Sequence, residues 1–148
     1  MNILITGGTG LLGGRLIKFF SKTANVKSVS RKKNKKFLYI NWKDSKSIAR
    51  ICKNIDIIIH AAGPSLKDCI KSPKNAIKYY STITEKFIKS ASVSKVKLFI
   101  FLSSVKVYDN KNINISENYK SFSDHPYAKA NLMGEKKVLE INKKDKIK

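Results

Sequence analysis

Apolar positions along the chain fall into short runs separated by polar stretches, and the period of those runs alternates. Asn2–Thr6 is an apolar run opening directly onto glycines, which reads as a buried strand. Residues 11–22 follow, with Leu12, Leu16, Phe19 and Phe20 on one helical face. Further strands are predicted at 26–30 and 37–40, on either side of a solvated charged loop at 32–36. Ser45–Cys52 suits a helix with Ile48, Ile51 and Cys52 inward. Residues 56–60 carry three successive isoleucines, the continuous apolar character of a strand buried on both faces. A helix is expected over 73–91, with Ile77, Tyr80, Thr84, Phe87, Ile88 and Ala91 near one stripe. A fully apolar strand follows at 98–102, then a polar, turn-rich stretch at 109–124. A last helix at 125–141 runs through Ala128, Leu132, Glu135 and Leu139. Strand alternates with helix and no segment repeats. The expected class is therefore α/β, a doubly wound parallel sheet with helices on both faces.

Length and composition narrow the picture. The 148 residues suit one domain with a real core. Apolar residues make up 42%, and no run approaches the roughly 18 residues of a membrane span. The N-terminus reads as lacking a secretory signal. Cys52 and Cys69 have neither metal-ligand nor Cys-x-x-Cys spacing, and two reduced thiols fit a cytoplasmic protein. The formal charge of +21 raises a polyanionic partner. Against it, the basic residues are nearly all lysines, with Arg15, Arg31 and Arg50 the only arginines, and they scatter over every predicted surface. Readers of nucleic acid favour arginine and interleaved aromatics. The charge reads instead as the codon bias of an AT-rich genome, and nucleic-acid binding is not the expected function.

The chemistry enters at Thr6-Gly7-Gly8-Thr9-Gly10-Leu11-Leu12-Gly13, between the first strand and the first helix. Gly7, Gly10 and Gly13 answer three needs there: a turn at positive φ, close approach of backbone to a pyrophosphate, and close packing of helix on strand. The unpaired N–H groups of the helix N-terminus then face the phosphates. That context makes the loop a dinucleotide-binding element and the fold Rossmann-type.

Glycines three residues apart resemble the short-chain dehydrogenase/reductase superfamily. Further motifs in order resemble its extended branch, the NAD(P)-dependent sugar-nucleotide epimerases and dehydratases. They are Asp56-Ile57-Ile58-Ile59-His60-Ala61-Ala62-Gly63, then Phe101-Leu102-Ser103-Ser104-Val105-Lys106-Val107-Tyr108, then Pro126-Tyr127 with Glu135 eight residues on. The resemblance implies that the loop, including Thr9, Leu11 and Leu12, holds the cofactor phosphates. It implies that Ala61, Ala62 and Gly63 line the cofactor, and that Asn41 and Trp42 flank its adenine. In the family an acidic residue after the second strand selects NAD. Here Arg31 follows Ser30, which favours NADP over NAD. His60 reads as a structural histidine rather than a base.

By the same resemblance Tyr127 exchanges a proton with the substrate, and Ser104 hydrogen-bonds the same oxygen. A lysine four residues past the tyrosine would complete the set, but Asn131 stands there, and Lys129 lies on another helix face. A cation about 4 Å away would be worth about 4 kcal/mol at an effective dielectric near 20. That is about three pKa units on a phenol. Asn131 keeps the hydrogen-bonding role toward the ribose and loses the charge. Val105 and Lys106 replace the acidic pair common in dehydratases, which lowers dehydration relative to epimerisation or reduction.

The family continues into a sixth strand and a substrate domain. The chain is therefore expected to be a truncated Rossmann domain over 1–148, its sheet incomplete on the C-terminal side and 98–102 an apolar edge. The resemblance implies a nucleotide-sugar substrate, and a homodimer is compatible with the full-length protein. The alternative is a non-catalytic NAD(P)-binding or regulatory module.

Overall fold

The computed structural model describes residues 1–108, 115, 116, 119, 123–145 and 147. Five parallel strands form one sheet: β1 Asn2–Thr6, β2 Asn25–Ser30, β3 Leu38–Tyr39, β4 Ile57–His60 and β5 Leu98–Phe101. Their order, β3-β2-β1-β4-β5, places the glycine-bearing strand at the centre. Register is parallel throughout, with Ile3 opposite both Val26 and Ile57, and His60 opposite both Thr6 and Phe101. The doubly wound α/β reading of the pattern is borne out.

Two apolar layers hold the sheet. Ile3, Ile5 and Ile59 pack against Leu16, Ile17 and Phe20 of helix α1, Leu11–Phe20. The alternate residues Leu4, Val29, Ile58 and Phe99 pack on the opposite face with Ile48 and Ile51 of α2, Ser45–Cys52, and with Phe87, Ile88 and Ala91. Period-2 alternation along each strand sends successive side chains to opposite layers. The inward face of α1 differs from the expected one, since Leu12 and Phe19 stand exposed. Gly13 is the buried residue of this helix and packs on the glycine loop. It fixes the helix phase, so positions 13, 16, 17 and 20 face the sheet, the i, i+3, i+4, i+7 stripe.

The expected single helix over 73–91 is three pieces: α4 Pro73–Lys78, a π-helical turn Tyr79–Ile83 and α5 Thr84–Val93. A short helix that the apolar pattern did not predict, α3 Leu66–Lys71, precedes them. It is held by a capping box in which Ser65 accepts from the Asp68 N–H and Asp68 accepts from the Ser65 N–H. Beyond β5 come a 3-10 turn, Val105–Val107, and helix α6, Pro126–Asp145. Most of the stretch expected to be turn-rich at 109–124 lies outside the described residues. Strand β3 shrinks to two exposed residues at the sheet edge. Among the described residues, no helix is long and apolar enough to cross a membrane.

Candidate dinucleotide site

The glycine loop has the geometry a pyrophosphate cradle needs. Gly7 sits at φ +72, and a Cβ there would lie 2.7 Å from the Ala61 carbonyl oxygen. A Cβ on Gly13 would lie 2.2 Å from the Gly7 oxygen, so α1 and β1 approach as closely as only glycine allows. The loop closes through the Gly10 N–H donating to the Gly7 carbonyl at 2.9 Å. Helix α1 begins at Gly10 with no side-chain cap and no acidic residue in its first turn. Its leading N–H groups thus meet no competing side-chain acceptor, which suits a phosphate. Thr9, Leu11 and Leu12 are exposed around the loop. The cradle that a Cβ would fill and the uncapped helix fit a dinucleotide.

Thr6 joins this loop to the facing turn. Its hydroxyl oxygen accepts from the Ala61 and Ala62 N–H groups at 3.1 and 3.0 Å and lies 2.9 Å from His60 Nδ1. With both lone pairs engaged, the Thr6 O–H must donate to Nδ1, which places the imidazole proton on Nε2. That Nε2 has no hydrogen-bond partner and is enclosed by the rings of Trp42, Phe87, Phe99 and Phe101. Burial pushes the His60 pKa down to about 3. A neutral imidazole locked in the core braces the 61–63 turn and does no proton transfer with a ligand.

At the other end of the crevice, Arg31 is exposed just past β2. A separate cleft is lined by Lys33, Tyr39, Asn41, Asp44, Lys46, Ser47 and Arg50, with the Lys33 ammonium 5.7 Å from the centre of the Tyr39 ring. Asn41 is exposed, and its side-chain oxygen accepts from the Lys43 N–H at 3.1 Å. Trp42 is different. Its indole turns into the core, edge-on to His60 and Phe87 at 6.0 and 5.8 Å, and only its backbone is left to meet an adenine.

The candidate reacting groups lie past β5 and on α6. Ser104 caps the 3-10 turn, its hydroxyl accepting from the Lys106 N–H at 3.3 Å. The neighbouring Ser103 hydroxyl bonds the Glu135 carboxylate, tying this loop to α6. Tyr127 is half-buried in the first turn of α6, where its N–H donates to His125 Nδ1 at 3.1 Å. Asn131, 1% exposed, turns its amide back on its own helix, Nδ2 donating to the Tyr127 carbonyl at 2.8 Å. Its Oδ1 is buried without a partner. Lys129 is ion-paired with Asp124 at 2.7 Å.

Sequence reasoning took Tyr80 for a core residue of a continuous helix. Its hydroxyl in fact reaches the 61–63 turn, where a Cβ on Gly63 would lie 2.2 Å from it. No periodicity signals this, because the π-helical turn shifts the phase of the helix just at Tyr80. The box that starts α3 was legible in Ser65-x-x-Asp68, whereas its six residues are too few to show a period.

A central parallel strand ending in a glycine cradle, with a facing small-residue turn, defines the dinucleotide-binding Rossmann class. The chain belongs to the NAD dependent epimerase/dehydratase family, whose model matches residues 3–148. The extended short-chain dehydrogenase/reductase resemblance is thereby borne out. The chain is 29% identical over 145 residues to methionine adenosyltransferase 2 subunit beta of Rattus norvegicus, covering 95% of this chain and 43% of that protein. It thus spans less than half the length of such curated relatives. Among solved structures, the UDP-glucuronic acid 4-epimerase from Bacillus cereus, in complex with UDP-glucuronic acid and NAD, superposes with a TM-score of 0.87 at 21% identity. That match covers 99% of this chain and 54% of the epimerase. The UDP-glucose 4-epimerase from Bifidobacterium longum, in complex with NAD+ and UDP, gives 0.85 at 24% identity, covering 98% and 50%. These likenesses establish the fold.

Proposed function

We propose that this chain is the cofactor-binding part of an NAD(P)-dependent enzyme acting on nucleotide-activated sugars, by epimerisation or reduction in preference to dehydration. The observation that carries the reading is the Gly7–Gly13 cradle facing a turn braced by Thr6, on the same sheet end as Ser104 and Tyr127. The nicotinamide supplies hydride transfer when bound. Gly7, Thr9, Gly10 and Gly13 shape the backbone cradle for the phosphates, the Gly10 N–H closing it on the Gly7 carbonyl. The uncapped N–H groups of the α1 N-terminus face the anion, with Leu11 and Leu12 covering it, and Ala61, Ala62 and Gly63 leave room beside the nicotinamide half. Asn41 and the Trp42 backbone flank the adenine. Tyr127 exchanges a proton with the substrate oxygen and Ser104 hydrogen-bonds that oxygen.

NADP is the favoured cofactor. The support is Arg31, exposed just past the end of β2, where a guanidinium suits a 2′-phosphate. The test is turnover of UDP- and dTDP-sugars by the protein with NADPH or NAD, measured beside Tyr127→Phe. The expected result is a loss of about a hundredfold or more in kcat in the variant, within the usual reach of general acid–base catalysis. Equal turnover by the variant would overturn the role of Tyr127.

A second reading, a regulatory NAD(P)-binding subunit, is favoured by two observations. Asn131 stands in place of the lysine, with its amide spent on the Tyr127 carbonyl. The other is the likeness to a relative named as a subunit beta. Tight NADPH binding with no turnover of any sugar nucleotide would support it.

A further inference from the structure

Tyr80 is carried on the π-helical turn Tyr79–Ile83, a one-residue expansion of the helical rod. It is buried, its ring edge-on to Phe101 at 6.1 Å and 80°. It forms a cluster with Cys69, Ala76 and Ala130, against which Tyr127 packs. Its hydroxyl end reaches the 61–63 turn on the cofactor side, so close that a Cβ on Gly63 would lie 2.2 Å from the oxygen. The Tyr80 phenol therefore spans from the small-residue turn to the neighbourhood of Tyr127. On α6, by contrast, Asn131 spends its amide on the Tyr127 carbonyl, and Lys129 is held by Asp124. Neither brings a cation to the Tyr127 hydroxyl.

We propose that Tyr80 is a positioning residue for Tyr127, its hydroxyl donating to the Tyr127 phenol oxygen and steadying the phenolate whenever Tyr127 gives up its proton. It takes over part of what a lysine at 131 would do. Tyr80 can act only as the donor. Burial first, and then the charge and hydrogen bonding of Tyr127, lift its pKa far above the ordinary phenol value, so it stays protonated. Two neighbouring groups are shifted the same way, with the Arg31 charge opposing the shift at Tyr79. Burial pushes Tyr79 up to about 12 and also raises the Cys69 thiol. His125 is engaged at Nδ1 by the Tyr127 N–H. A hydroxyl donor to a phenolate is a charge-assisted hydrogen bond, the stronger kind.

The inference rests on the reading of Tyr127 as the proton-exchanging residue, so the test uses a readout that needs no turnover. Tyrosines of the protein are labelled with 13C at Cζ, and each of the six is followed by NMR through a pH titration. Tyr127→Phe assigns the resonance of interest by its loss. In Tyr80→Phe the Tyr127 midpoint should rise by about one pH unit, a tenfold loss of acidity. Gly63→Ala, whose methyl must displace the Tyr80 ring, should move it the same way and carries the test if Tyr80→Phe does not fold. An unchanged Tyr127 midpoint in a variant with wild-type circular dichroism would overturn the proposal. If instead Tyr127→Phe turns over sugar nucleotides normally, the functional reading fails, while the midpoint still decides whether Tyr80 donates to Tyr127.

Discussion

Asn131 concentrates the tension in this site. It stands one helical turn beyond Tyr127, on the same face, where the family places a cation. It is buried, with Nδ2 donating to the Tyr127 carbonyl and Oδ1 without a protein partner. Asn131→Lys should move the basic limb of the pH–rate profile toward lower pH by about one to two units, less than the full Coulomb value because the ammonium must be desolvated. Steady-state rates from pH 5 to 9 check it, and superimposable profiles would contradict it. At this scale the glycine spacing was legible in the sequence, and Gly7 and Gly13 sit where only glycine fits. The sequence did not announce orientation. Trp42 looked like an adenine flank and turns into the core, because the ring wall around His60 offers its indole more burial than the surface does.

At the scale of elements, the C-terminal ends of β1 and β4, neighbours in the sheet, share one buried hydrogen-bonding group. The Thr6 hydroxyl serves two backbone donors and His60, tying the strand end that carries the glycine loop to the 61–63 turn. His60 makes this junction sensitive to acid. Its folded pKa is pushed from 6.5 down to about 3 by burial, so protons bind the unfolded chain first. Its contribution is whole above about pH 6.5 and is lost as pH falls from there toward 3. At pH 5 the loss is about 2 kcal/mol at 1.36 kcal/mol per unit. Urea midpoints at pH 7 and pH 5 should therefore separate more in the wild type than in His60→Gln. Equal separation would contradict the assignment.

Element type was read correctly wherever a run was long and periodic, as in the three isoleucines of β4 and the inward face of α2. The π-helical turn was not legible, because one extra residue breaks the 3.6 period without changing composition. The phase of α1 was misread for a related reason. A glycine has no hydrophobicity to mark its face, yet Gly13 is the residue that sets it.

Across the whole molecule, the parallel sheet brings the segments that follow β1, β4 and β5 to one end. Opposite the open edge of β3, the described sheet ends on β5, where Ile100 is exposed on an apolar strand. Family membership and fold agree that the common element is the dinucleotide cradle. The chain spans less than half of its curated relatives, which makes cofactor binding the property most directly tied to these residues. Arg31 should tilt that binding. Arg31→Asp is expected to weaken NADPH and to spare or strengthen NADH, reversing their order in a competition titration. An unaltered order would place the 2′-phosphate elsewhere.

The central claim is met most directly by fluorescence titration of the protein with NADPH, beside Gly13→Ala, whose methyl would lie 2.2 Å from the Gly7 oxygen. The account predicts saturable enhancement of NADPH emission by the wild type. In a Gly13→Ala protein that still folds, affinity should fall about a hundredfold, some 2.7 kcal/mol at 1.36 kcal/mol per decade. Absence of binding to either NADPH or NADH by the wild type, or wild-type affinity in Gly13→Ala, would contradict it.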